Sequence, residues 1–200
     1  LKRLVLHQSE NELFSPAVIS MTGLGEVGQV LLDHGVEVHS LNMKNFWGGV
    51  ACLMTLRRLL RRLSPAVVHT WMYHADLMGG LVAYSLGIRN IIWGVRSTDI
   101  TQGGSSLTLV VRKVCAALSG FIPRVILCAA RESKRVHESI GYTSGKMKVI
   151  PNGFDINKLR ASESSVKAVR KSWGVLDTDI LIGSVARFNP VKDHATFIKA

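Results

Sequence analysis

The sequence has little cysteine and few aromatic side chains: three cysteines and 6% Phe, Trp and Tyr in 200 residues. Cys52, Cys115 and Cys128 stand far apart in apolar runs, the pattern of buried thiols in a reducing compartment, and no metal motif follows from them. No apolar run reaches the roughly 18 residues of a membrane span, and the first residues lack the form of a signal peptide, so a cytoplasmic protein is expected. Acids are also scarce. Against 14 Asp and Glu stand 25 Lys and Arg, a formal charge of +11 and a pI near 10.0. That excess selects anionic partners: nucleotide phosphates, a lipid surface or nucleic acid. With few aromatics, no Cys/His finger and no arginine-rich tail, nucleic acid is not expected. A hydrophobic content of 47% is that of a globular chain with one or two cores. The chain opens at Leu1 without a methionine and stops at Ala200 within a helical pattern, which reads as a fragment.

Apolar runs of strand type alternate with helical patterns. Strands are expected at Ala17–Met21, Val36–Leu41, Ala66–Thr70, Asn90–Val95 and Arg124–Cys128, with a short last one at Lys148. Helices are expected between them, several stopped by a glycine or, after Leu63, by Pro65. Strands apolar on both faces point to a parallel sheet covered on both sides, a doubly wound α/β layer. Residues 1–155 form that first domain, closed by an Asn152-Gly153 turn; 156–178 are a polar bridge with a helix over Val166–Trp173; 179–200 begin a second α/β domain with a buried strand at Ile180–Val185.

Several motifs bear on chemistry. Gly23-Leu-Gly-Glu-Val-Gly28 has the dinucleotide spacing, but the ribose-binding acid due about 20 residues on is missing from Ser40–Asn45, so a tight strand-to-helix turn is the reading. In the helix over Val50–Leu63 leucines share one face and Arg57, Arg58, Arg61 and Arg62 the other. This is a solvated face or one that docks on anionic lipid. His69, His74 and Asp76 crowd the end of one strand, and Arg96-Ser-Thr-Asp99 the end of the next; ligands of parallel α/β sheets bind at such carboxyl ends. His69, Ser97 and Thr98 are therefore candidates for substrate contact. No third ligand accompanies His69 and His74, so no metal is expected. Near the end, Arg187 closes the strand expected there and Lys192 opens a helix, a cationic fork suited to a diphosphate.

Val149-Ile-Pro-Asn-Gly-Phe-Asp155, the bridge, and Ile182-Gly-Ser-Val-Ala-Arg-Phe with Lys192-Asp-His resemble the hinge and second-domain signature of GT-B glycosyltransferases of the family 4 kind. Ala17-Val-Ile-Ser-Met-Thr-Gly-Leu-Gly with Gly35-Val-Glu-Val-His39, and Val68-His-Thr-Trp-Met-Tyr-His-Ala-Asp76, are similar to the first domain of that family. The resemblance implies a GT-B fold and transfer of a sugar, with retention, from a nucleotide-sugar donor to a glycan, lipid-linked or small-molecule acceptor. It implies no cofactor or metal.

By the same resemblance Arg187 and Lys192 hold the donor diphosphate, His74 faces the reacting sugar as the catalytic residue, and Asn152 and Asp155 match the hinge turn, in a structural or contact role. The family's glycine-rich first loop would precede Leu1 and its paired-glutamate motif would follow Ala200. The 200 residues alone are therefore expected to be inactive. Two other functions compete: a nucleotide-sugar epimerase of the same fold, and a non-catalytic nucleotide-binding or interaction module.

Overall fold

The structure, a computed structural model, describes residues 1–43, 49–98, 105–188 and 192–200. Its packing divides the chain into two units, one ending at Ile150 and the other Pro151–Ala200.

The first unit alternates α1 (Lys2–Ser9), β1 (Ala17–Ser20), α2 (Gly25–Asp33), β2 (Glu37–Ser40), α3 (Gly49–Leu63), β3 (Val68–Trp71), α4 (Tyr73–Ser85), β4 (Ile91–Val95), α5 (Ser106–Leu118), β5 (Val125–Cys128), α6 (Arg131–Ser139) and β6 (Met147–Val149). Helix stops were well marked: Gly87 and Gly141 follow α4 and α6 with φ of +82° and +100°, a conformation that glycine adopts without steric cost. α5 starts where Ser105 Oγ accepts the Thr108 N–H at 3.2 Å.

Among the described residues every strand pairing is parallel. The layer is divided, however: β1 pairs with β2, and β3-β4-β5-β6 form a second sheet. Ile19 and Leu41 nevertheless pack into the same apolar core as β3–β6. At the centre of that core β4 buries Ile91, Trp93 and Val95, which share one face, completely. α4 lies close against the sheet because glycines allow it. A Cβ at Gly80 would stand 2.7 Å from Trp93 Nε1, and one at Gly79 would stand 2.9 Å from Thr70 Cγ2. α3 buries Cys52, Leu56 and Leu60, and its arginine side is half-buried at Arg57 and exposed at Arg58, Arg61 and Arg62.

In the second unit the bridge helix is α7 (Glu163–Ser172), which starts earlier than the apolar pattern does because Ser162 Oγ accepts the Ser165 N–H at 3.2 Å. The strand expected at Ile180–Val185 is not formed. A strand exists through its ladder, and no other strand of this unit among the described residues offers one. Ile180, Ile182 and Val185 are 90%, 75% and 105% exposed instead of buried. The Asn152-Gly153 pair lies in irregular chain with neither residue at positive φ, so no primed turn forms there. α8 (His194–Lys199) follows, capped by Asp193, whose Oδ1 accepts the Thr196 N–H at 3.3 Å.

Candidate active site

The first unit gathers its polar rim at the carboxyl ends of β3 and β4. Side chains alternate along β3, so His69 and Trp71 point to one face and Thr70 to the other. The His69 and Trp71 rings lie 5.0 Å apart, and the Arg96 guanidinium stands 4.8 Å from the Trp71 ring centre. Burial, and next the charge of Arg96, hold the His69 imidazole below its ordinary pKa, so the ring is neutral near pH 7.

On the other face the Thr70 hydroxyl donates to Asp76 Oδ1 at 2.6 Å and lies 3.2 Å from the Ile92 carbonyl. Asp76 is wholly buried. Burial pushes its carboxyl up to about 7, against the pull of the Thr70 hydroxyl and the Gly94 N–H. Oδ2 makes no well-formed hydrogen bond. The turn between β3 and α4 passes through Met72 at φ 76°, ψ 154°, which costs a residue with a side chain on the order of 1–3 kcal/mol. It is held by Met72 N–H to the Gly94 carbonyl at 3.1 Å and Asp76 N–H to the Met72 carbonyl at 2.8 Å. This turn sets His74, half-buried, as the second residue of α4, among the first-turn N–H groups that a helix leaves without internal partners.

After β4, Ser97 is half-buried and its carbonyl accepts the Ser133 hydroxyl at 2.9 Å. Thr98 is exposed, and Asp99 lies outside the described residues. The structure thus brings His69, His74 and Ser97 to one rim. The missed members are Thr70, Met72 and Tyr73, which the sequence shows only as part of the Val68–Asp76 stretch, with no mark of a role of their own.

In the second unit Arg187 and Lys192 are both exposed, on either side of residues 189–191, which lie outside the described residues. His194 ties back to this segment: its Nε2 is 3.1 Å from the Arg187 carbonyl and its ring stacks on Phe188 at 5.7 Å. Asn152 and Asp155 are exposed and both make contacts. Among the described residues no group of three His, Cys, Asp or Glu could hold a metal ion. The Gly23–Gly28 segment opens α2 with Gly25 at φ +58°; Lys44 and Asn45, in the stretch searched for a ribose-binding acid, lie outside the described residues.

Residues 10–158 match the profile of Glycosyltransferase Family 4. The chain belongs to that family. No curated protein matches the sequence. Among solved structures, the family 4 chain is similar to Anabaena Alr3699/HepE in complex with UDP-glucose, with a TM-score of 0.75 at 16% identity over 99% of this chain and 52% of that one. It is also similar to UDP-N-acetylglucosamine 2-epimerase from Rickettsia bellii, with a TM-score of 0.56 at 14% identity over 88% and 57%. MurG from Acinetobacter baumannii gives 0.52 at 12% over 82% and 42%. These likenesses establish the GT-B α/β fold, and the chain spans about half the length of these structures.

Proposed function

We propose that this family 4 chain belongs to a glycosyltransferase that moves a sugar, with retention, from a nucleotide-sugar donor to a glycan, lipid-linked or small-molecule acceptor. Family membership carries the reading, and the HepE structure, which holds UDP-glucose, supports the donor class. In this reading residues 1–155 supply the acceptor side, 156–178 the bridge, and 179–200 the start of the donor-binding domain. Arg187 and Lys192 hold the diphosphate. Breaking the glycosyl phosphate bond builds negative charge on the departing phosphate, and fixed cations there lower the barrier. His74 faces the reacting sugar; His69, Ser97 and Thr98 contact substrate at the same rim, and Asn152 and Asp155 act at the hinge. No metal or cofactor enters.

A thermal-shift screen of the natural full-length protein with UDP, GDP and ADP tests the donor class, since binding stabilises by mass action. The 200 residues alone are expected to turn over no donor; transfer by this piece would show that expectation to be mistaken. The epimerase reading requires acid/base carboxylates at the rim. It is disfavoured because Asp76, the carboxylate at the ends of β3 and β4 among the described residues, is wholly buried and bound to Thr70. A non-catalytic module would keep its partner binding and show no turnover with any donor.

A second surface belongs to the same reading. On α3, Arg58, Arg61 and Arg62 are exposed beside Val50 and Met54, themselves 68% and 52% exposed. Arg57 and Arg62 are steadied by Ser85 at 2.6 Å and Glu37 at 3.1 Å. Apolar tips beside guanidinium groups suit the headgroup region of an anionic bilayer, which would place the protein on the cytoplasmic face of a membrane. No helix among the described residues is long and apolar enough to cross one. Sedimentation with vesicles is expected to require anionic lipid and to fall when Arg58 and Arg61 are changed to Glu; equal sedimentation in every case refutes the surface.

A further inference from the structure

The rim residues sit on two loops. One turns at Met72 into Tyr73 and His74; the other leaves β4 through Arg96–Thr98. One buried helix face stands behind both. His137, in the last turn of α6, is wholly buried, and Ser133, one turn earlier, is 1% exposed.

His137 Nδ1 lies 2.7 Å from the Ser133 carbonyl. A carbonyl only accepts, so Nδ1 carries a proton. In the neutral ring that leaves Nε2 as an acceptor, 2.9 Å from the hydroxyl of Tyr73, the first residue of α4 and the neighbour of His74. The two rings stack at 5.8 Å, and Tyr142 closes the other side edge-on at 5.0 Å. Ser133 in turn donates its hydroxyl to the Ser97 carbonyl at 2.9 Å. Tyr73 is thus bonded to His137 and Ser97 to the Ser133 hydroxyl, and α6, whose Ser133 carbonyl holds the His137 ring, joins the two contacts. Apolar side chains would fill this space without the desolvation cost of a buried imidazole and hydroxyl, so the polar pair is explained by what it connects.

We propose that His137 and Ser133 are positioning residues, which hold the loop bearing His74 in register with the loop bearing Ser97 and Thr98 for transfer. The inference rests on the reading of His74 and Ser97 as substrate-facing. It accounts for the burial of two polar residues of α6. A misplacement of about 1 Å at a reacting group can cost on the order of 100-fold in rate.

The test uses the natural full-length protein with Tyr73→Phe, Ser133→Ala and His137→Gln. Hydrogen exchange is followed in the peptides covering 72–78 and 96–98, and UDP release from UDP-glucose is the activity probe. Each variant is expected to speed exchange in the loop it does not touch: Ser133→Ala in 72–78, Tyr73→Phe in 96–98. Turnover is expected to fall about 10-fold or more while the KM for donor moves less than about 2-fold. His137→Gln, which keeps an acceptor for Tyr73, is expected to loosen 72–78 less than His137→Leu does. If the His137 variants fail to fold, Ser133→Ala decides alone, since it removes one hydroxyl. Changes confined to the mutated side, or none, overturn the proposal. If the loops loosen each other but His74→Ala keeps full turnover, the coupling stands and the catalytic reading of His74 falls. If exchange is unchanged while His74→Ala abolishes turnover, the coupling falls and His74 stands.

Discussion

The hydroxyl of Thr70, at the end of β3, donates to Oδ1 of Asp76, in the first turn of α4, at 2.6 Å inside the core. One short bond thus joins the strand to the helix on either side of the strained Met72 turn, and it engages a carboxyl whose other oxygen has no well-formed hydrogen bond.

Because burial raises the Asp76 pKa from 3.8 to about 7, the folded state holds a proton that the unfolded chain has lost between those values. Unfolding then releases a proton, so stability from this group falls as pH rises from about 4 to about 7 and is level above that. The full difference is on the order of 4 kcal/mol. Relative to Asp76→Asn, the wild-type Tm is expected to drop by several degrees across this window. Parallel curves for the two proteins would remove the ionisation argument.

Gly80 is the place where α4 meets Trp93. Gly80→Ala puts a methyl group against a completely buried indole, and is expected to cost about 1–3 kcal/mol through overpacking. Gly145, with open space around its missing Cβ, is the control, with Gly145→Ala expected to leave Tm nearly unchanged. Chemical denaturation measures both.

The three thiols are free and buried. Burial, and next the charge of Asp76, push Cys115 up to about 12, and burial pushes Cys128 up to about 11. Thiolates do the alkylation, so native protein at pH 8 is expected to resist iodoacetamide at Cys115 and Cys128 until denaturant is added. Rapid labelling of either in the native state would contradict their burial.

The alternation of strand and helix was legible because its signals are local: the leucine face of α3, the glycines after α4 and α6, the apolar run of β4. The strand expected at Ile180–Val185 had the same apolar signature, but a run of β-branched residues records a preference for burial and says nothing of a partner. The rim was legible in part. His69 and His74 are polar residues at a strand end, a position with a general meaning in parallel sheets. Met72 carries no mark of its positive φ, since only glycine or asparagine would have advertised it. α6 reads as a solvated helix, and its sequence does not distinguish the buried Ser133 and His137 from their exposed neighbours. Only the contact of Ser133 with Ser97 and of His137 with Tyr73 does so.

The central claim, that this family 4 chain serves nucleotide-sugar transfer through the Arg187 and Lys192 fork, is tested most directly by donor turnover and nucleotide binding in the natural full-length protein. Release of nucleoside diphosphate from UDP-, GDP- and ADP-sugars is measured for wild type, Arg187→Ala and Lys192→Ala, with thermal shifts by the free nucleotides alongside. One donor class is expected to be turned over, its free diphosphate to raise Tm, and each variant to lose about 100-fold or more in turnover with the fold intact. Turnover and nucleotide binding unchanged in both variants would contradict the account.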